Sequence, residues 1–485
     1  MRAVETEGRG LLRPESRRYG EVRKGYTAFV PGDVIMAKIT PCMENGKTTV
    51  VPELAEGICF GSTEFHVIRP ESGIAAQWVA QFLLQHDVRR AAQRQMGGAV
   101  GQMRVPTTFL ETVRIPVPPS AEQRRICDVL DELLSDLDAG VAALERVKAK
   151  LALYRASVLK AATEGTLTAE WREQHPDVEP SNQLLARILA ERRRSWEEEQ
   201  LRRFKDAGRE PPKNWKARYK EPIPPDTSGL AQLPHSWCWA SLDEIGALDR
   251  GRSRHRPRDA EFLYGGPFPF IQTGDVKRAR QYVREHQQTY TEAGLEQSRL
   301  WPSDTLCITI AANIAETAIL AYPACFPDSV VGVEFEPELV AVRYVEFFLR
   351  SVKDVLGAYA PATAQKNINN EILRSLAIAL PPFEEQQTIV DVLECQLSLT
   401  DHLEDDFVEQ LGSAQALRQA ILRHAFTGKL VLQDPNDEPA AELLKRIAVE
   451  REARAKAPRA SPPRHKPRSK HRTAPASADI IETIL

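Results

Sequence analysis

With 485 residues the chain is too long for one compact core, so two or more domains are expected. Hydrophobic residues at 42% and charged residues at 27% fit a soluble globular protein, and no run approaches the ~18 apolar residues a membrane helix needs. The opening MRAVETEGRGLLRPESRRYG has no apolar core for a signal peptide, and seven scattered cysteines form no CxxC pair. A cytoplasmic protein with reduced thiols is therefore expected, without a disulfide frame or a zinc site. A net charge of −3 does not advertise nucleic acid; any such contact must come from local basic patches.

In chain order, the first elements are a Pro/Asp turn and an apolar strand in FVPGDVIMAKITP from Phe29. A Cys59-Phe60 pair, a short apolar helix (QWVAQFLL), a small-residue loop and a strand leading into Pro118-Pro119 follow. The double proline breaks that strand and opens a long helix, where Ser120 can cap with Gln123 as in a capping box. Leu130, Leu137, Leu144, Leu151 and Val158 fall seven apart, with Ile126, Leu133, Val147 and Tyr154 near a second seam. A narrow apolar stripe of this kind buries against another helix. Gly165 sits just past the pattern, where helix C-caps are common.

The same order then returns. LWPSDTLCITIAA from Leu300, Cys325-Phe326, RYVEFFLR and a strand into Pro381-Pro382 repeat the first set. IPVPPSAEQRRICDVLDELLSDLD from Ile115 matches IALPPFEEQQTIVDVLECQLSLTD from Ile378 at an offset of 263 residues. LKAATEGTL from Leu159 and LRHAFTGKL from Leu422 keep that offset, so the chain is an internal duplication. In the second helix the stripe runs through Leu393, Phe407 and Ile421, flanked by Ile389, Leu403 and Leu417. The economical partner for each helix is the other copy. The expected fold is mixed α/β: two similar domains separated by two long antiparallel coiled-coil-like helices.

These residues resemble the specificity subunit of type I restriction–modification systems. The resemblance rests on the paired PPxxEQxxI segments at 115–131 and 378–394, the LPHSWCWASLDEI opening at Leu233, GGPFPFIQTGDV at Gly265, and LTAEWRE with the charged run to KEPIPPD. It covers nearly the whole chain up to about residue 455. It implies recognition domains at 1–119 and 233–382, spacer helices at 120–165 and 383–428, and a charged central region at 166–232. A C-terminal helical region at 429–455 and a basic disordered tail at 456–485 complete the division. It further implies a non-catalytic subunit that reads a bipartite double-stranded DNA target. The helices act as a ruler, and the subunit carries modification methyltransferase subunits (two of them) and motor/endonuclease subunits. Against the second domain, about 38 residues before Pro31 have no counterpart, including the LPxxW opening and first strand pair. A late start or a truncation would explain this, and a truncated first domain would lack sheet edges and part of its core.

A methyltransferase would show a Gly-rich loop after a strand and an NPPY-like tetrapeptide, and neither is present. MENGK at Met43 misses nuclease carboxylate spacing by one residue; GxxxxGK[ST], HExxH and GxSxG are absent, and ten histidines are dispersed. No catalytic residue, metal site or cofactor is expected.

Phosphate contacts require Lys and Arg, and base reading uses Arg, Lys, Asn or Gln in a groove. DRGRSRHRPRD offers Arg250, Arg252, Arg254, Arg256 and Arg258 on one loop, with Lys277 and Arg278 beyond it. The loop before each Pro-Pro strand aligns GQMR with AQKN, pairing Gln102 with Gln365, Met103 with Lys366 and Arg104 with Asn367. Lys38, Asn45 and Lys47 in KITPCMENGK complete the candidates. Each has a plain reading as a solvated loop or structural turn. Residues 191–220, with 11 basic and 6 acidic residues, read as a solvated or partner-docking helix face. The tail from Arg451 to Arg472 reads as disordered and sequence-blind. Two other functions compete: a coiled-coil scaffold whose α/β domains bind protein, and a fused restriction enzyme with unrecognised motifs.

Overall fold

The computed structural model describes residues 1–8, 10, 15–22, 24–53, 58–99, 101–255, 257–311, 313–353, 356, 368–456 and 481–484. It divides into unit one, Met1–Arg146 with Asp406–Leu485, and unit two, Val147–Asp405.

Unit one opens with β1 (Glu15–Arg18), β2 (Tyr26–Phe29), β3 (Val34–Ala37), β4 (Thr48–Val50), β5 (Cys59–Ser62) and β6 (Phe65–Ile68). β3 is central to a three-stranded antiparallel sheet, between β4 and β6. All four of its residues are buried, so it reads as a continuous apolar run. Helices α1 (Ala76–Leu84) and α2 (His86–Arg94) follow. Phe82, Leu83 and Ala92 from them join Val34, Met36 and Phe109 in one core. Helix α3 (Ser120–Thr163) then begins, and its first turns contribute Ile126, Leu130 and Leu134 to a second core with Trp78.

Unit two holds α4 (Ser181–Asp206), β7 (Cys238–Ser241), β8 (Ala247–Arg250), β9 (Tyr264–Phe270), β10 (Tyr282–Val283) and β11 (Gln288–Tyr290). β12 (Leu306–Thr309), β13 (Thr317–Leu320), β14 (Val330–Glu334), α5 (Val342–Ser351) and β15 (Ala377–Leu380) complete its α/β part. Its main sheet has the order β10-β13-β12-β14-β8, and β12 stands in the place that β3 holds in unit one. The match is at backbone level. Gly32 N–H to Val51 C=O and Val51 N–H to Asp33 C=O repeat as Asp304 to Leu320 and Leu320 to Thr305. This register puts Asp33 on Thr305, one residue from the alignment that Pro31 and Pro302 suggest. Helix α6 (Phe383–Phe426) starts here, and Ile389, Leu393 and Leu397 pack with Val158, Leu159 and Ala162 of α3 in the main core.

Unit one closes with the end of α6, helix α7 (Ala440–Lys456) and β16 (Ile481–Ile484). β16 lies between β1 and β5, so the tail expected to be disordered contains a strand. The β-branched run at its end favours strand over the Pro/Ala/Ser composition before it.

α3 and α6 are each 44 residues long, about 66 Å at 1.5 Å per residue. Within each unit they run antiparallel. In unit one Asp138 of α3 pairs with Arg418 of α6, and Ile126 packs with Leu422; in unit two Arg155 pairs with Asp401. One predicted stripe holds, with Leu130 and Val158 buried. The second holds only at its start, where Ile126 and Ile389 are buried; Leu133, Val147, Tyr154, Leu403 and Leu417 are exposed. One residue later Leu134 and Arg418 are buried, and at Arg418 an ion pair replaces apolar contact and leaves no hydrophobic signal.

The opening of α3 also differs from the expected capping box. Ser120 Oγ donates to Gly73 C=O at 2.8 Å, and Gln123 Nε2 donates to Pro118 C=O at 2.9 Å. The strand expected before Pro118 does not form: Arg114–Val117 pairs with no strand among the described residues, whereas its counterpart β15 pairs antiparallel with β7.

The duplication reaches further than the sequence alignment followed it. EPSNQLLARILAER from Glu179 returns as EPAAELLKRIAVER from Glu438, at an offset of 259. Leu184 and Leu443 are fully buried, and Arg187–Glu179 (2.7 Å) is repeated as Arg446–Glu438 (2.8 Å). Four residues fewer in the second connection break the register.

Candidate nucleic-acid interface

In unit one, strand ends and a loop converge. Val105 N–H donates to Lys38 C=O (2.8 Å), Lys38 N–H to Glu64 C=O (2.9 Å) and Thr40 N–H to Met103 C=O (3.0 Å). Residues 38–40 are thereby laid beside 103–105. Arg104 then grips Glu64 through two bonds of 2.9 and 3.0 Å, and a third goes to Gln102 C=O at 3.0 Å. The Arg104 hydrogen bond, with added charge from Arg104 and Lys38, holds the Glu64 carboxyl below its ordinary range. Lys38, Gln102 and Arg104 are thus brought together. Arg104 can offer a bidentate donor pair to a guanine edge only by exchanging its carboxylate partner.

Asn45 and Lys47 sit elsewhere, on the turn packed against the N-terminal segment. Asn45 C=O accepts from Glu7 N–H (3.1 Å), and Lys47 Nζ donates to Met1 C=O (3.1 Å).

In unit two the arginine loop leaves β8. Gly251 allows the close approach: a Cβ there would meet Pro327 O at 2.3 Å. Ser298 Oγ and Tyr264 Oη donate to the carbonyls of Arg252 and Arg258, at 2.8 and 2.6 Å, and Gln297 Oε1 accepts from His255 N–H at 2.9 Å. The backbone is pinned while the guanidinium groups stay at the surface. Arg252 pairs with Asp249 and Arg258 with Asp328, both at 3.0 Å; Arg250 Nε donates to Asp328 C=O. Arg254 is exposed with no ion pair among the described residues. Lys277 is exposed at the end of the short helix Thr273–Arg278, and Arg278 is held by Asp275. Arg256, Gln365, Lys366 and Asn367 lie outside the described residues.

Sequence reasoning passed over a groove lined by Arg278, Arg280, Arg284 and His286, although KRARQYVREHQ signals it. It also passed over Arg299, which stacks 3.8 Å above the Trp301 ring and pairs with Asp249 and Glu334. A third omission is positional. Ile310 N–H donates to Ser329 C=O and Ile310 C=O accepts from Ile368 N–H, the same two bonds that fix Lys38. One scaffold therefore places the partly exposed Lys38 and Glu64 in unit one, and the partly exposed Ser329 beside the fully buried Ile310 in unit two.

Among the described residues, no group of three or more His, Cys, Asp or Glu is placed to hold a metal, and no helix is long and apolar enough to cross a membrane. Burial pushes the Cys127 thiol up to about 12, and those of Cys238 and Cys325 to about 11, which suits packing rather than nucleophilic attack.

Two copies of one α/β scaffold, each followed by a long helix and each carrying its own polar loops, define a two-headed recognition protein. The type I restriction modification DNA specificity domain matches residues 26–146 and 234–406, and the chain belongs to that family, with one domain in each half. It is similar to the type I restriction enzyme EcoEI specificity subunit of Escherichia coli, with 26% identity over 87% of this chain and 77% of that protein. The EcoKI specificity subunit of Escherichia coli strain K12 is 25% identical over 91% of this chain and 89% of its own length. A solved structure from work on complex assembly and conformational transition of the type I R-M system shares the fold. Its TM-score is 0.59 at 18% identity, over 88% of this chain and 97% of that one.

Proposed function

We propose that the chain reads a bipartite double-stranded DNA target, one half-site per unit, and does no covalent chemistry itself. The observation that carries this reading is one shared backbone, fixed at Lys38 and at the buried Ile310 by the same two hydrogen bonds, that carries the Lys38–Arg104 cluster in unit one and the arginine loop in unit two. A preserved scaffold with divergent polar loops is what two readers of different sequences require. The arginine loop of unit two and the Lys38–Arg104 cluster supply cations for phosphates and donors for base edges. α3 and α6 act as the spacer that sets the gap between half-sites.

The partners in this reading are two copies of a modification methyltransferase subunit, together with motor/endonuclease subunits, in the cytoplasm. The repeated EPxxxLLxxIxxER helices favour two like partners. Each unit offers an equivalent ion pair at the start of this helix, Arg187–Glu179 and Arg446–Glu438. No cofactor is assigned to this chain.

The test is selection from a random duplex library by the purified chain with its methyltransferase partner at moderate salt. Enrichment of a split motif with a fixed gap supports the reading. Enrichment of no sequence would overturn it in favour of a protein-binding coiled-coil scaffold.

A further inference from the structure

Three positions in unit two embrace one segment, Leu233–Ser241, a turn closed by Trp237 N–H to Pro234 C=O that runs on into β7. β15 pairs with it antiparallel in the register Ile378↔Ala240 and Leu380↔Cys238. The fully buried Glu385 accepts the Trp237 indole N–H at 2.8 Å. Gly165, at φ +77°, lies so close to the segment that a Cβ there would sit 2.6 Å from Pro234 and 3.2 Å from the Trp237 ring.

Subtracting the repeat offset of 263 gives Ile115 and Val117 for the strand and Glu122 for the acceptor; adding it gives Gly428 for the glycine. All four belong to unit one. Ile115 and Val117 bond to nothing through N–H or C=O among the described residues, and both side chains are partly exposed where Ile378 and Leu380 are fully buried. Between them Pro116 turns its carbonyl away, accepting from Trp78 Nε1 at 2.8 Å, as Ala379 accepts from Tyr344 Oη at 2.5 Å. Proline therefore occupies the one place in this strand where a ladder needs no N–H. Glu122 is 4% exposed, yet its carboxylate accepts no hydrogen bond among the described residues. The donors Thr168 and Arg172 that reach Glu385 have Val431 and Pro435 at the same offset. Gly428, at φ +70°, has nothing within 4 Å of its Cβ position.

We infer that Arg114–Val117 with Glu122 and Gly428 forms a receptor for an added β-strand. The ligand class is a peptide with the pattern of Leu233–Ser241: it donates a tryptophan indole N–H to Glu122 and lays an antiparallel ladder on Ile115 and Val117. Strand addition suits this site because a ladder satisfies main-chain groups while one side-chain pocket gives specificity. Glu122 offers an acceptor that no donor among the described residues meets, and an indole N–H would occupy it as Trp237 occupies Glu385. The inference stands apart from DNA reading, since it uses no residue of the polar loops.

The experiment titrates a fluorescent peptide of sequence LPHSWCWASL into the full chain under reducing conditions, with anisotropy and amide exchange as readouts. Saturable binding is expected, with slowed exchange at Ile115 and Val117. Affinity should fall at least about tenfold when the peptide tryptophan matching Trp237 becomes alanine, and similarly for Glu122→Leu in the chain. Val117→Pro, on a partly exposed segment, removes one ladder donor and should weaken binding while the circular dichroism spectrum is retained. Absence of saturable binding overturns the inference. So does binding that ignores both Glu122→Leu and Val117→Pro, which would place the peptide by exchange in unit two.

Discussion

Gln123 and Gln386 make the same pair of hydrogen bonds in the two units. Each is fully buried. Gln123 Oε1 accepts from Ala75 N–H and its Nε2 donates to Pro118 C=O, both at 2.9 Å. Gln386 does the same with Ala341 N–H at 2.9 Å and Pro381 C=O at 3.0 Å. Ala75 and Ala341 precede α1 and α5, so one amide ties the start of the long helix to the start of the short one. Gln386→Leu leaves both main-chain groups unmet in a dry site. A loss of about 2–4 kcal/mol in urea-unfolding stability is expected, from two unsatisfied groups at roughly 1–3 kcal/mol each. Gln386→Glu is expected to be no better, because a carboxylate cannot donate to Pro381 C=O.

The Glu64–Arg104 pair gives a pH signature. The Arg104 hydrogen bond lowers the Glu64 carboxyl in the folded state. Its contribution is therefore complete above the ordinary carboxylate range and is lost as pH falls through the folded value. With the Arg104 side chain 41% exposed, screening limits the contribution to about 1 kcal/mol or less. Urea midpoints of the wild type and Glu64→Gln should differ slightly at neutral pH and converge in acid. At neutral pH the same variant frees Arg104, and a salt titration should show tighter, less selective DNA binding.

Arg254 and Arg252 separate free from committed cations. Arg254→Ala should weaken DNA binding uniformly across sequences and reduce the log–log salt slope by about one. Arg252→Ala should do less, since Asp249 already neutralises Arg252 in the free protein. Equal effects in parallel salt titrations would show that the Asp249 pair opens on binding.

Glu346 tests the core of unit two. It is fully buried among Arg343 (2.9 Å), Arg350 and Thr317 (3.2 Å), and Arg343 is itself 6% exposed. Burial drives its carboxyl above the ordinary range against the pull of Arg350 and Arg343. Glu346→Leu leaves Arg343 in a dry site with Glu394 as its remaining carboxylate partner. A loss of about 3–5 kcal/mol is expected by calorimetry or urea unfolding.

The repeat was legible because apolar and PPxxEQ positions keep one offset through 44 residues of helix, where insertions are not tolerated. Legibility failed where that regularity did. The EPxxxLLxxIxxER copy lay behind a four-residue shift, and the buried helix face includes Arg418, invisible to a hydrophobic count. β15 and Arg114–Val117 carry similar sequences, yet only the first becomes a strand, because a strand is defined by its neighbour. The candidate contacts divided the same way. Residue type singled out Lys38, Arg104 and the arginine loop as candidates. Only three-dimensional contacts revealed that Glu64 already occupies Arg104, and that Asn45 and Lys47 face the N-terminal segment.

Fixing the partly exposed Lys38 and Ser329 through main-chain bonds has an evolutionary consequence. A hydrogen-bond ladder does not register which side chain it displays, so these positions can change without a compensating change in the sheet. Stability and specificity are thereby assigned to different atoms. A lineage carrying this scaffold can acquire a new recognition preference by single substitutions at the displayed positions while its folding remains under separate selection.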